Sequence, residues 1–312
     1  MPAFIILAVV AALLSGTVRA EAPASGVEED AVLALETPAR VLRRFDGVLR
    51  IGYADSPGAG PAAAVMEPLA ERLAHALRGA GENGSDVSVE LRRYAEFDLQ
   101  TAVVSHEADL FLVTSGYYVY LADMGAGVEW IAALKPPFAS DPEKASAAVF
   151  VARADDGRFN QVSDLRTAIV AAAGQASFDG WIAALDEVAN VSQYPKNFFG
   201  KTIFLGSSGL PVAEAVLGGD ADAGIMRACE LETLTAAGLL KPGSLRVVGE
   251  KPSDGFACRR STELYPGPAL AAQTYVPERI RHRIAAAVYS MPAADSGHRW
   301  TLANDYLSLI HI

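Results

Sequence analysis

Apolar positions along this chain follow two alternating rhythms, and the alternation occurs in two successive blocks. Short runs such as Leu49-Arg50-Ile51-Gly52-Tyr53 read as strands, whereas Val65, Leu69, Leu73 and Leu77, four residues apart, mark one face of a helix. In the first block the pattern predicts strands over 49–53, 87–91, 109–113 and 130–134, with helices over 61–77 and 97–104. In the second it predicts strands over 168–173, 202–205, 221–226 and 245–248, with helices over 181–188, 211–217 and 231–237. A last helix over 277–289, with Ile280, Ile284 and Val288 on its apolar face, is expected to pack back on the first block. Strand-helix-strand order of this kind implies an α/β fold of two lobes, each a central, mostly parallel sheet flanked by helices. The lobes are expected over 41–147 plus 256–306 and over 148–255, joined by hinge crossings near 147–151 and 252–256.

Two of the predicted strands end in small or hydroxyl-bearing residues that open onto a helix: Thr114-Ser115-Gly116-Tyr117-Tyr118 and Ser177-Phe178-Asp179-Gly180-Trp181. A helix N-terminus has backbone N–H groups without partners and a partial positive charge, so each turn is a candidate anion cradle. Tyr53, Ser115, Tyr117 and Tyr118 are candidate contacts of the first lobe, with Gly116 permitting close approach. Ser177, Phe178, Gly180 and Trp181 form the opposing cradle. Each also has a plain structural use, the tyrosines and Trp181 as packing and Ser177 as a helix cap.

Arg227, expected at the carboxyl end of the strand over 221–226, offers a bidentate grip on an oxyanion, in competition with a salt bridge to Glu230 or Glu232. Arg259 and Arg260 point oppositely in an extended segment, so at most one faces the cleft; Arg259 is the candidate. Cys258 has three open readings: a thiol that reacts with a sulfur-sulfur bond, a disulfide to Cys229, or a buried inert group.

The 312 residues suffice for two lobes with separate cores, and the net charge of -11 argues against nucleic acid or an anionic membrane surface as partner. A small anion remains compatible, because the field in a cleft is set by the groups that line it. Residues 4–14 are apolar and are followed by small residues up to Ala20, the pattern of a signal peptide over 1–20 and of export to the periplasm. A flexible lead-in is expected over 21–40, and the last six residues, 307–312, match one reading frame of a sequencing adapter and are read as a non-native tail. The Gly58-Ala59-Gly60-Pro61 stretch imitates a dinucleotide loop without the acidic residue that should follow it. His75, His106, His282 and His298 lack metal-ligand spacing, and no Gly-x-Ser-x-Gly elbow occurs. Neither an enzyme, nor a cofactor, nor a metal site is expected.

Ile51-Gly52-Tyr53, Glu107-Ala108-Asp109, the two turns above and Gly219-Asp220-Ala221-Asp222-Ala223-Gly224 together resemble the phosphate-, phosphite- and phosphonate-binding branch of periplasmic solute-binding proteins. The resemblance implies a type II periplasmic-binding-protein fold that captures a small oxyanion or anionic solute between its lobes and delivers it to an ABC transporter permease. Cys258-Arg259-Arg260-Ser261-Thr262, with Arg227 and Arg299-Trp300, is also similar to the sensory region of tetrathionate-type sensor histidine kinases. That second likeness implies a membrane-bound kinase module and a response regulator as partners. The family usually has glycine where this chain has Asp179, whose carboxylate is expected to repel an anion.

Overall fold

Among the residues described by the computed structural model, 43–54, 62–294 and 297–301, two mixed sheets organise the chain. The expected signal peptide, the lead-in, the Gly58-Ala59-Gly60-Pro61 stretch and the C-terminal tail lie outside the described residues. The chain first lays down β1 (Val48–Ala54), α1 (Ala63–Ala76), β2 (Ser88–Tyr94), α2 (Glu96–Val104), β3 (Leu110–Val113), α3 (Ser115–Asp123) and β4 (Val128–Lys135). It then builds β5 (Ala148–Arg153), β6 (Ile169–Ala172), α4 (Ala183–Ala189), β7 (Lys201–Phe204), α5 (Leu210–Gly218), β8 (Ala223–Arg227), α6 (Glu230–Ala236) and β9 (Leu245–Val248). Finally it returns to the first sheet through β10 (Ala269–Gln273), α7 (Glu278–Tyr289) and β11 (Arg299–Thr301).

The first sheet has the order β11-β4-β10-β3-β1-β2, with β1 parallel to β2 and β3, and β10 antiparallel between β3 and β4. The second has the order β7-β6-β8-β5-β9, with β6 parallel to β7 and β8, and β5 antiparallel to both its neighbours. Strand-helix alternation predicted the parallel parts. In the first sheet β10 is antiparallel because the chain leaves for the second sheet and re-enters from the opposite direction, whereas in the second β5 is the entry strand and β6, β7 and β8 run opposite to it.

In the first lobe, Leu49, Ile51 and Tyr53 of β1 share one core with Met66, Leu69 and Leu73 of α1 and Ile280, Ile284 and Val288 of α7. The four-residue spacing thus points both helices at the same sheet face, each fully buried apolar side chain contributing roughly 1.5–3 kcal/mol. In the second lobe, alternate residues of β5 serve opposite faces: Phe150 packs with Trp181 and Val188, and Val149 and Val151 with Val212 and Val216. Such a two-sided strand reads as a continuous apolar run, which explains why 147–151 resembled a crossing. It is not one: β5 lies inside the second sheet.

The crossings are residues 136–147 and 249–268, and they run side by side. Ser146 N–H donates to the Tyr265 carbonyl at 2.9 Å, Tyr265 N–H returns a bond to Ser146 at 2.8 Å, and Ala257 N–H bonds the Phe138 carbonyl at 2.8 Å. Near this ribbon a disulfide joins Cys229, at the start of α6, to Cys258, with their Cα atoms 5.0 Å apart.

Candidate ligand-binding site

The carboxyl ends of β1, β3, β4 and β8 converge on a cavity of about 170 Å³ between the two sheets. This is where ligands are expected in open α/β sheets. Ala54, Val113, Thr114 and Leu134 line it from the first lobe, Phe178, Asp179 and Arg227 from the second, and Ser146 and Phe256 from the crossings. Its walls are largely aliphatic and aromatic: Phe138 meets Phe256 edge-on at 5.3 Å, and Phe178 meets Tyr265 edge-on at 5.2 Å.

The polar chemistry centres on Arg227, the last residue of β8 and 5% exposed. Its Nε donates to Asp179 Oδ1 at 2.8 Å, and the Ser146 hydroxyl donates to Asp179 Oδ2 at 3.3 Å. Asp179 therefore does not stand as a free repelling charge. Its turn, Phe178–Ile182, is a widened π-helical one that leads directly into α4.

Three restraints hold the turn that follows Arg227. The Arg227 backbone N–H donates to Glu230 Oε2 at 3.0 Å, the Ser208 hydroxyl donates to the same oxygen, and Cys229 is bridged to Cys258. Cys229 has φ 74°, a left-handed conformation that costs a side-chain-bearing residue energy and persists where its surroundings enforce it. Glu230 is 1% exposed, and burial pushes its carboxyl up to about 7, with the Arg227 charge and the Ser208 hydrogen bond opposing the rise.

Of the residues singled out in the sequence, Tyr117, Phe178 and Arg227 line this cavity. Tyr117 presents its ring, since its hydroxyl donates to the Gln100 carbonyl at 3.2 Å and burial pushes that hydroxyl up to about 12. Gly116 supports the cavity from behind: a Cβ there would fall 1.9 Å from the Phe178 ring, so only glycine lets α3 approach the second lobe so closely. The remaining candidates do not line the cavity. Tyr53 is buried in the first core, and Tyr118 packs edge-on to Trp130 at 4.9 Å. The Ser115 hydroxyl donates to the Pro266 carbonyl at 2.8 Å. Ser177, Gly180 and Trp181 are buried in the second lobe. Arg259 is an exposed partner of Glu250 at 2.6 Å, and Cys258 is a disulfide sulfur rather than a reactive thiol. Neither Glu230 nor Glu232 takes the Arg227 guanidinium: Glu230 accepts the backbone N–H instead, and Glu232 accepts the Arg259 N–H at 2.9 Å.

Two opposed N–H cradles are thus not what the geometry presents. Arg227 and Asp179 offset one another within apolar walls, with Gln100, Thr114, Ser146, Glu230 and His298 as the other polar lining groups among the described residues. Ser146 carried no sequence signal, and Asp179 stood inside a recognised turn with its partner 48 residues away.

The sequence profile of a family described as "ABC transporter, phosphonate, periplasmic substrate-binding protein" matches residues 58–308. The chain belongs to that family, a family of substrate-binding proteins rather than enzymes. Similar solved structures include XAC2383 from Xanthomonas citri bound to ATP, at 15% identity and TM-score 0.64, covering 85% of this chain and 96% of that one. A binding protein component of an ABC phosphonate transporter, PA3383 from Pseudomonas aeruginosa, aligns at 14% identity and TM-score 0.57, covering 80% and 76%. PhnD1 from Prochlorococcus marinus in complex with methylphosphonate aligns at 16% identity and TM-score 0.52, covering 85% and 88%. These likenesses establish the type II periplasmic-binding-protein fold. No curated protein matches the sequence.

Proposed function

We propose that this chain is the receptor of an ABC importer, exported by cleavage after Ala20, that closes its lobes over a compact organic solute bearing one anionic group. The observation that carries this reading is Arg227, the one guanidinium among the described lining residues, at the end of β8 in a cavity whose other described walls are mostly apolar. A guanidinium suits bidentate capture of a phosphonate or carboxylate, and Phe138, Phe178 and Phe256 suit the organic substituent. The family supports a small anionic ligand and a permease partner. The paired crossings supply the hinge, with lobe boundaries near residues 147 and 256. A tetrathionate sensor working by thiol exchange at Cys258 is not favoured, because that sulfur is bridged.

The test is a thermal-shift and calorimetric screen of the chain against methylphosphonate, ethylphosphonate, phosphate, sulfate and tetrathionate. A ligand that binds only the folded state raises the melting temperature. The expected outcome is a larger shift with the alkylphosphonates than with the inorganic anions. Equal shifts for phosphate and ethylphosphonate would show that the apolar walls do not select the ligand.

A further inference from the structure

The cavity holds a second carboxyl that the reading above leaves without a task. Glu230 lines the same cavity as Arg227, is 1% exposed, and engages only one of its two oxygens. Oε2 accepts from the Arg227 N–H and the Ser208 hydroxyl, while the buried Oε1 has no hydrogen-bond partner among the described residues. A charged carboxylate oxygen withdrawn from water without a donor is costly, and protonation lowers that cost by removing the charge.

We infer that Glu230 is a specificity-determining residue of this cleft: an anion held at Arg227 is captured together with one proton, which Glu230 carries on Oε1. The inference rests on the proposed reading of the cleft as an anion receptor. Among the described residues these groups lie around Glu230. Arg227 faces it from β8, Asp179 from the turn ahead of α4, and His298 lines the same cavity ahead of β11; Ser208 and Gly209, ahead of α5, are uncharged. On its own helix, Glu232 is turned to the Arg259 N–H.

Before binding, the Arg227 charge favours ionised Glu230, and burial opposes it, leaving the carboxyl near half-titration at neutral pH. An anion beside the guanidinium offsets that favourable charge and adds a repulsive one within the same cavity. The proton then passes from solvent to Oε1, forming one O–H bond and leaving the cleft with one net negative charge fewer. Entry of a second carboxylate's worth of charge is thereby avoided, and the cleft discriminates by total charge as well as by shape.

The decisive experiment is calorimetry of the full chain with methylphosphonate at pH 7.5, in two buffers of different ionisation enthalpy, for the wild type and for Glu230→Gln. The ligand's own titration cancels in the difference between the two proteins. The wild type should take up a large fraction of one proton more than the variant. Its affinity should also fall roughly tenfold per pH unit, relative to the variant, well above neutrality. Equal proton uptake in both proteins would overturn the inference. If methylphosphonate gives no heat with either protein, the proposed ligand class fails instead. The inference is then decided by a carboxyl-carbon NMR titration of Glu230 in the ligand-free wild type, which also serves if Glu230→Gln does not fold. Half-titration near neutrality supports it, and a carboxylate already ionised at pH 5.5 overturns it.

Discussion

Arg227 and Asp179 form an ion pair at 2.8 Å, with side chains only 6% and 16% exposed, at the meeting point of the two lobes and their crossings. The pair joins the end of β8 to the turn that precedes α4, and its partner Ser146 belongs to the first crossing. A buried pair of this kind adds little over an apolar replacement, but removal of one member leaves the other charged and unsolvated.

Arg227→Met is therefore expected to abolish anion binding and also to destabilise the fold, by about 3 kcal/mol. The double variant Arg227→Met with Asp179→Asn should regain most of that stability and none of the binding. Urea denaturation of the three proteins, beside calorimetry with the best ligand of the screen, separates the two roles. A double variant as unstable as the single one would show that the pair is not the source of the loss.

Reduction of the Cys229–Cys258 bridge should lower stability by releasing the loop that it closes. The bridge closes a loop spanning 29 positions, worth about 3–4 kcal/mol on the chain-entropy argument. For a chain of this size that corresponds to a fall in melting temperature of about 5–6 °C. Because Cys229 is held in a left-handed conformation beside Arg227 and Glu230, Cys229→Ser with Cys258→Ser should weaken ligand binding as well. Unchanged affinity at a temperature where the variant is folded would show that Glu230 and Ser208 alone hold the turn.

Gly116 and Phe178 meet across the lobes, and the space for a methyl group at Gly116 is already filled by the ring. Gly116→Ala should prop the lobes apart, seen as an increased radius of gyration in small-angle scattering and an affinity loss of about tenfold or more. Gly116→Ala combined with Phe178→Ala should restore the radius. If scattering is unchanged in the single variant, the ring yields by rotating and the contact does not set the closure.

The alternation of strands and helices was legible because most elements are amphipathic, as in α1 and α7, whose buried residues fall at the predicted spacing. Strand β10 was not, although it lies near the middle of the first sheet: Ala-Leu-Ala-Ala-Gln has no β-branched residue, and its two faces are buried by distant helices, Leu270 and Ala272 in the core of α7 and Ala269 and Ala271 in that of α3. The site was legible where one residue type at a strand end carried the chemistry, as for Arg227. It was not legible where the chemistry is a relation between distant residues. Nothing near Asp179 announces Arg227 or Ser146, and nothing near Ser115 announces that its hydroxyl is taken by the Pro266 carbonyl.

Stability should depend on pH through two buried carboxyls of opposite sign. Glu230 is raised from 4.5 to about 7 by burial, so the folded state holds its proton more tightly than the unfolded chain does. Its contribution is fully present below pH 4.5 and is lost as pH rises through about 7, a loss of roughly 3 kcal/mol. Asp156 is lowered from 3.8 to about 2, chiefly by hydrogen bonds from Arg158, so its contribution is present above 3.8 and lost as pH falls through about 2. Between them the two groups place the stability maximum near pH 4–5, more acidic than is usual for a folded protein. Melting temperatures recorded from pH 2 to pH 8 should show both arms, and Glu230→Gln should flatten the alkaline arm while leaving the acid arm in place. An alkaline arm that persists in Glu230→Gln would assign the loss to another group and leave Glu230 ionised at neutral pH.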